Sequence, residues 1–346
     1  MLNRQSVGVI WTNLIITFVQ TFYVKHVTIL VPEGNAHMSS IAGSFEILNR
    51  ANTYWQKLGN KSVFEMHVAG FSSDSKSESR YFSVGAENIR RIKKTDLLII
   101  PSLGYDYENA IRKNKKLIRW IGNQYKMGAE IASICTGAFL LASTGLLKGK
   151  TCSTHWNAAA DFRRLFPDIN LHIDKLLVVE KRIYSNGGAY SFLNLILFLI
   201  EKHFDRQTAI YCSKLFQIDI ERNSQSPFSI FQTQKNHGDE LISKAQNYIE
   251  KNLGEKISFE EVASKLAISR RNFDRRFIKA IGNTPVEYLQ RVKVEVAKRM
   301  LEKGKKTIFD VMNEVGYSDD KAFREVFKKI AGISPLDYKS KYNQEV

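Results

Sequence analysis

A chain of 346 residues, 44% of them hydrophobic, is too long for one ordinary core and sufficient for two or three. Its formal charge of +16 fits a polyanionic partner, nucleic acid first among them, with a merely basic soluble surface as the alternative. Three cysteines, Cys135, Cys152 and Cys212, exclude a disulfide framework and fit a reducing, cytoplasmic setting; no Cys/His group has zinc-ligand spacing, so neither metal nor cofactor is expected.

The charge does not single out one half. Residues 240–346 hold 22 Lys and Arg against 16 Asp and Glu, a surplus of +6, and the rest of the chain carries the other +10. Any case for DNA therefore has to come from pattern.

In chain order, residues 5–24 are uncharged and approach the length of a membrane span. Asn13, Gln20 and several threonines dilute the run, and no small-residue cleavage site follows. The favoured reading of 1–24 is an extension or a mis-assigned start; a membrane anchor is the second reading.

From 25 to 218 short apolar runs alternate with helical patterns. HVTILVP (26–32), FEMHVAGF (64–71), TDLLIIPS (95–102) and AEIASIC (129–135) read as strands. The stretch 39–55 reads as a helix with Ile41, Phe45 and Leu48 on one face, 108–128 as one helix stopped at Gly128, and 137–147 as another. A last helix, 186–204, has a glycine-rich entry. This alternation predicts an α/β domain, a parallel sheet flanked by helices in the flavodoxin-like manner. Residues 219–239 lose periodicity and read as a polar linker, and everything after Asp239 is helical in pattern.

The helical half contains a repeat. SFEEVASKLAIS (258–269) matches TIFDVMNEVGYS (307–318) at an offset of 49, and GNTPVEY (282–288) matches GISPLDY (332–338) at 50. The extra residue is expected inside the second helix of the second copy. Each copy reads as helix-turn-helix. Ser258 with Glu261, and Thr307 with Asp310, form capping-box patterns, and Ser269 and Ser318 are the expected caps of the second helices. Gly316 stands in the second turn where the first has Ala267.

In the first copy Phe273 and Phe277 point inward. Arg270, Arg271, Asn272, Arg275 and Arg276 are left outside, residue types that clamp phosphates and read base edges. The second copy offers Lys321 and Arg324 behind Asp319 and Asp320, so the first copy is expected to grip DNA harder. The stretch 286–303 reads as one helix joining the units, which would set two recognition helices in successive major grooves, ~34 Å apart.

These motifs, GYSDDKAFREVFKKIAGISPLDY (316–338) above all, make 240–346 resemble the DNA-binding domain of AraC-type transcription regulators. The resemblance implies seven helices, promoter double-stranded DNA as partner, and possible contact with RNA polymerase.

ASICTGAFLLASTGLLKG (132–149), TCSTHW (151–156) and SNGGAYSFLNL (185–195) resemble the class I glutamine-amidotransferase-like superfamily, PfpI-type proteases included, and the matching domain of GlxA-like regulators. The resemblance implies an elbow at Cys135, with His155 as its base and the Gly104 amide beside an oxyanion hole. The following helix start is expected to lower the thiol pKa. Ser40 stands where superfamily enzymes often carry a Glu, with Glu33 and Glu46 as imperfect substitutes, and no acid is placed to orient His155. The expectation is therefore a sensor without catalysis, with Gly104, Cys135, Thr136 and His155 around an unknown small-molecule effector, in a homodimer. The alternative is a cysteine hydrolase whose basic tail binds nucleic acid.

Overall fold

The computed structural model describes residues 23–34, 36–72, 83–235 and 237–343. The readings of 1–24 as an extension or an anchor fall almost wholly outside them. Among the described residues no helix is long and apolar enough to cross a membrane.

The first half runs β1 (Lys25–Leu30), α1 (Met38–Lys57), β2 (Phe64–Gly70), β3 (Glu87–Asn88), β4 (Leu97–Ile100), α2 (Tyr107–Lys113), α3 (Lys115–Lys126), β5 (Glu130–Ile134), α4 (Ala138–Ser143), β6 (Thr151–Cys152), α5 (Ala159–Leu165), β7 (Asn170–Leu171), β8 (Leu177–Glu180), β9 (Ile183–Asn186), α6 (Phe192–His203) and α7 (Arg206–Leu215). Seven strands form one sheet in the order β3-β2-β1-β4-β5-β9-β8, parallel throughout except for the β8–β9 pair; β6 and β7 make a small second sheet. The four expected strands are β1, β2, β4 and β5.

Both faces of the sheet are covered. Val27, Ile29 and Ile99 pack with Ile41 and Leu48 of α1 and Leu195 and Leu199 of α6. Leu30, Leu98 and Ile100 pack with Leu117 and Ile121 of α3 and Phe139 of α4. Phe45, expected on the inner face of α1, is exposed, and Ser44 and Ile47 are buried instead. The helix expected over 108–128 is two, because Asn114 turns its side chain to Glu33, accepting from its N–H and donating to its C=O at 2.8 Å each. That clamp fixes the loop after β1.

The second half is all helical: α8 (Glu240–Lys251), α9 (Phe259–Lys265), α10 (Arg270–Ile281), α11 (Pro285–Glu302), α12 (Ile308–Glu314), α13 (Asp320–Ala331) and α14 (Pro335–Tyr342). Two apolar cores share α11: Tyr288 and Val292 close the first around Phe273 and Phe277, and Val294, Ala297 and Leu301 close the second around Phe323 and Phe327.

The caps differ in part from expectation. Thr307 and Asp310 do form the reciprocal box, as do Thr284 and Glu287 at the start of α11. Ser258 accepts from the Glu261 N–H, but no return bond from Glu261 is present. Ser269 caps α10, whereas α13 is capped by Asp319 and Ser318 lies outside the helix. The offset is still 49 at the turn, Ala267 to Gly316, and already 50 at the caps, Ser269 to Asp319. The extra residue therefore sits in the second turn and not inside the helix, where it would have rotated the buried Phe323 and Phe327 off the core.

Candidate elbow site and nucleic-acid interface

At the carboxyl end of β5 the chain reverses within one residue. Cys135 has φ +53°, a left-handed conformation that costs a non-glycine residue about 1–2 kcal/mol. The turn Cys135–Gly137 leads straight into α4. A Cβ on Gly137 would stand 2.6 Å from the Pro101 carbonyl oxygen, so only glycine lets the elbow press against the end of β4.

The elbow is tied to its neighbours by hydrogen bonds. The Thr136 hydroxyl meets Ser102 Oγ at 2.9 Å, accepts from Leu103 N–H and donates to Leu103 C=O, both at 2.8 Å. Thr154 Oγ1 donates to the Cys135 carbonyl at 2.9 Å, which fixes the 151–156 segment to the elbow.

The chemistry of the elbow is quiet. Cys135 is 3% exposed, and burial pushes its thiol pKa up against hydrogen bonds from Ser102 and Thr136. The expected lowering by a helix start is thus not what the thiol shows: α4 has only six residues, and desolvation by burial is the largest influence on the thiol. The His155 ring is pushed down by burial and by neighbouring His37, so it is neutral at pH 7. Its Nδ1 accepts the Asn157 N–H at 3.1 Å, which leaves the proton on Nε2 and no free lone pair. Among the described residues, no carboxylate is among the groups that shift Cys135 or His155. Ser40, where the Glu was sought, is buried, donates to the His37 carbonyl at 2.7 Å and accepts from Ser102 N–H at 3.1 Å. Glu33 and Glu46 are exposed. Gly104 borders a cleft of about 280 Å3 together with Glu33, Asp106 and Lys113; Cys135 is not among its lining residues.

The segment 219–239 is no free linker. Gln225 is 1% exposed, and its side-chain amide lies within the α/β half, donating to the Thr154 carbonyl at 3.0 Å and the Lys175 carbonyl at 3.3 Å and accepting from Trp156 N–H at 3.3 Å. A few residues on, the same strap grips the helical half. Phe231 N–H donates to Glu295 at 3.0 Å, Lys298 donates to the Ser229 carbonyl, and the Tyr342 hydroxyl donates to the Pro227 carbonyl at 3.0 Å. Glu295 and Lys298 are themselves a buried ion pair at 3.0 Å. Sequence reasoning missed this. Its one signal was two charges on the inward face of α11; nothing distinguishes Gln225 among the other polar residues around it.

On the helical half, α10 shows two kinds of cation. Arg270 is bound inside the protein, to Glu260 at 2.6 Å and Asp274 at 2.9 Å, and Arg276 pairs with Asp239. Arg271 and Arg275 are exposed, and Arg275 donates to the Asn272 side chain at 3.2 Å. In α13 the internal pair is reversed in sign, with Asp320 and Arg324 at 2.6 Å where α10 has Arg270 and Asp274. Lys321 is the exposed counterpart of Arg271, but Glu325 replaces Arg275. Of the six cations expected outside on α10 and α13, three, Arg271 and Arg275 on α10 and Lys321 on α13, are thus free of such ion pairs among the described residues. Such exposed pairs are worth only about 0.3–0.5 kcal/mol each, so a phosphate can compete for Arg270 or Arg324.

Comparisons with known proteins match the two halves separately. Residues 51–202 match the DJ-1/PfpI family, and residues 262–341 match a helix-turn-helix domain. The HTH-type transcriptional regulator GbdR of Pseudomonas aeruginosa is 22% identical over 308 residues, 88% of this chain and 81% of its own length. CdhR, an HTH-type transcriptional regulator of the same species, is 22% identical over 79% of this chain and 81% of its own. A crystal structure from Vibrio parahaemolyticus, assigned as a transcriptional regulator, shares 26% identity at a TM-score of 0.50, covering 56% of this chain and 99% of that one.

Proposed function

We propose that this chain, which belongs to the AraC-type transcription regulators with an amino-terminal DJ-1/PfpI-family domain, reads promoter DNA through α10 and α13 under the control of an effector bound at the elbow end of its sheet. The chain is a DNA-binding transcription regulator. The observation that carries this is the tandem pair of helix-turn-helix units on one shared helix, with Arg271 and Arg275 exposed on the first recognition helix. Residues 25–218 are the sensor, 219–239 the coupling strap and 240–346 the DNA reader. The reading is completed by a cytoplasmic homodimer at the promoter, in contact with RNA polymerase.

The test is binding of the purified chain to its own upstream intergenic DNA, against scrambled DNA, over a series of salt concentrations. Tight binding that depends on sequence supports the reading. Weak binding that is equal on both DNAs and vanishes with salt would overturn it. Cys135→Ser should bind like wild type, because the elbow senses and does not touch DNA.

The elbow is read as a sensor rather than a hydrolase for three reasons: the thiol is buried and protonated, the His155 lone pair is occupied, and no carboxylate orients it. Gly104, Cys135, Thr136 and His155 mark the effector end of the sheet, with Thr136 acting through the loop it holds. The strap gives the signal a route. The 151–156 segment bonds to the elbow through Thr154 and to the strap through Gln225, and the strap bonds to α11 and α14.

Gln225→Ala should expose that coupling. It leaves the buried Thr154 carbonyl and the part-buried Lys175 carbonyl and Trp156 N–H without this partner, at a cost of about 1–3 kcal/mol. Calorimetry of the full chain should then show the two halves unfolding in separate transitions, with the sensor transition moved down. An unchanged profile would remove the strap from the mechanism.

A further inference from the structure

The α/β half carries a second constellation of chemistry, away from the elbow. Parallel pairing sets His26 of β1 beside Glu65 of β2, and Thr28 beside His67. Because side chains alternate along a strand, His26, Glu65 and His67 all emerge on the same face. His26 Nδ1 lies 3.4 Å from His67 Nε2 and 3.7 Å from Glu65 Oε2, and His67 Nε2 lies 3.5 Å from Glu65 Oε1. On the neighbouring strand β3, Glu87 Oε1 lies 3.2 Å from His67 Nδ1.

The geometry points to a divalent metal site of the zinc class, with His26, Glu65 and His67 as ligands. Metal–nitrogen and metal–oxygen bonds of about 2.0–2.2 Å in a tetrahedral set place ligand atoms roughly 3.3–3.6 Å apart, close to the separations of 3.4–3.7 Å among the two ring nitrogens and the two Glu65 oxygens. Three protein ligands would leave a fourth position for water. Two carboxylates and two imidazoles offer charge of the right sign for a dication. The nitrogen donors select late first-row ions over Mg2+ and Ca2+, which take all-oxygen shells.

Glu87 supplies the outer partner such a site uses. By accepting the His67 Nδ1 proton it fixes the tautomer that leaves Nε2 as the ligand atom. The ligands stand on paired strands, so the sheet holds their spacing without an ion. Sequence spacing does not reveal the set, because 39 residues separate His26 from Glu65 and only the crossover through α1 brings them together. Bound metal would tie the ends of β1 and β2 together at the sheet's outer edge, a position independent of the elbow and of the DNA-reading helices.

The experiment uses the full chain, stripped with a chelator and dialysed. Zn2+ alone is titrated by calorimetry, with Mg2+ and Ca2+ in parallel, and Co2+ is added as an optical probe. The site requires one Zn2+ per chain at micromolar affinity or tighter, no Mg2+ or Ca2+ heat, and a cobalt spectrum without thiolate charge transfer. Glu65→Gln and His67→Ala should each lose binding, and Glu87→Gln should keep one ion but bind it about 10–100-fold more weakly. Circular dichroism of the variants separates lost binding from lost folding; Glu65 is half exposed, so Glu65→Gln preserves the sheet. Absence of Zn2+ binding, wild-type affinity in the folded Glu65→Gln variant, or a thiolate-cobalt band placing the ion on a cysteine would each overturn the assignment.

Discussion

Arg271→Ala and Arg275→Ala are expected to weaken operator binding by about 1–3 kcal/mol each, roughly five- to 150-fold, if each reads a base edge. The two side chains are exposed near the amino end of α10, and neither is held by an ion pair. Their guanidinium groups therefore need not abandon an internal carboxylate to meet DNA. Arg270 stands in contrast, with Glu260 and Asp274 both on it. Arg270→Ala should cost less in binding and show part of its effect as lost helix stability.

Lys321→Ala is the matching change on α13. As a point charge on phosphate it should weaken binding evenly across sequences and lower the salt slope by about 1. With Glu325 at the Arg275 position, α13 should contribute less sequence discrimination than α10. Electrophoretic mobility shift or fluorescence anisotropy on specific and scrambled DNA, at several salt concentrations, measures all of these. Wild-type affinity and specificity in the Arg271/Arg275 double variant would sink the assignment of α10 as the reading helix.

The architecture was legible in the sequence where a residue pattern has one physical solution. The central strands announce themselves as uninterrupted apolar runs, because both faces of β4 and β5 are covered. The repeat announces two like units, because Phe273 with Phe277 and Phe323 with Phe327 serve the same inward role. Features that depend on long-range pairing were hidden. The β8–β9 hairpin turns at Lys181, which adopts φ +56° without being glycine or asparagine, so no turn signal marks it. The strap was hidden because a buried Gln225 has the same composition signature as a solvated one. The direction of the thiol pKa is hidden because a helix start can be read from sequence and burial cannot, and burial is the largest cause of the shift.

The same contrast between local and tertiary causes governs the two turns. Both Ala267 and Gly316 have left-handed backbone, φ +55° and +72°. Ala267 is exposed, so its strain is purely conformational. Ala267→Gly should relieve it and raise stability by about 0.5–1 kcal/mol, after glycine's larger loss of chain entropy is set against the relief. Gly316→Ala should do the reverse, and much more strongly. A Cβ there would stand 2.8 Å from the carbonyl oxygens of Leu253 and Gly254, backbone atoms that no rotamer can move. Those residues follow α8, in the first unit, so the collision falls on the contact that holds the two helix-turn-helix units together. Buried Lys293 of α11 donates to the Gly316 carbonyl at 3.1 Å, a second tie on the turn. Strain and overpacking together should cost about 2–5 kcal/mol. Thermal unfolding followed by circular dichroism should show the helical transition falling by about 10 °C or more, and DNA binding should fail before the helices melt, because the second recognition helix loses its fixed bearing on the first. A Gly316→Ala chain as stable as wild type would mean that the α8–α9 loop yields, and that the two recognition helices are not held on a rigid frame.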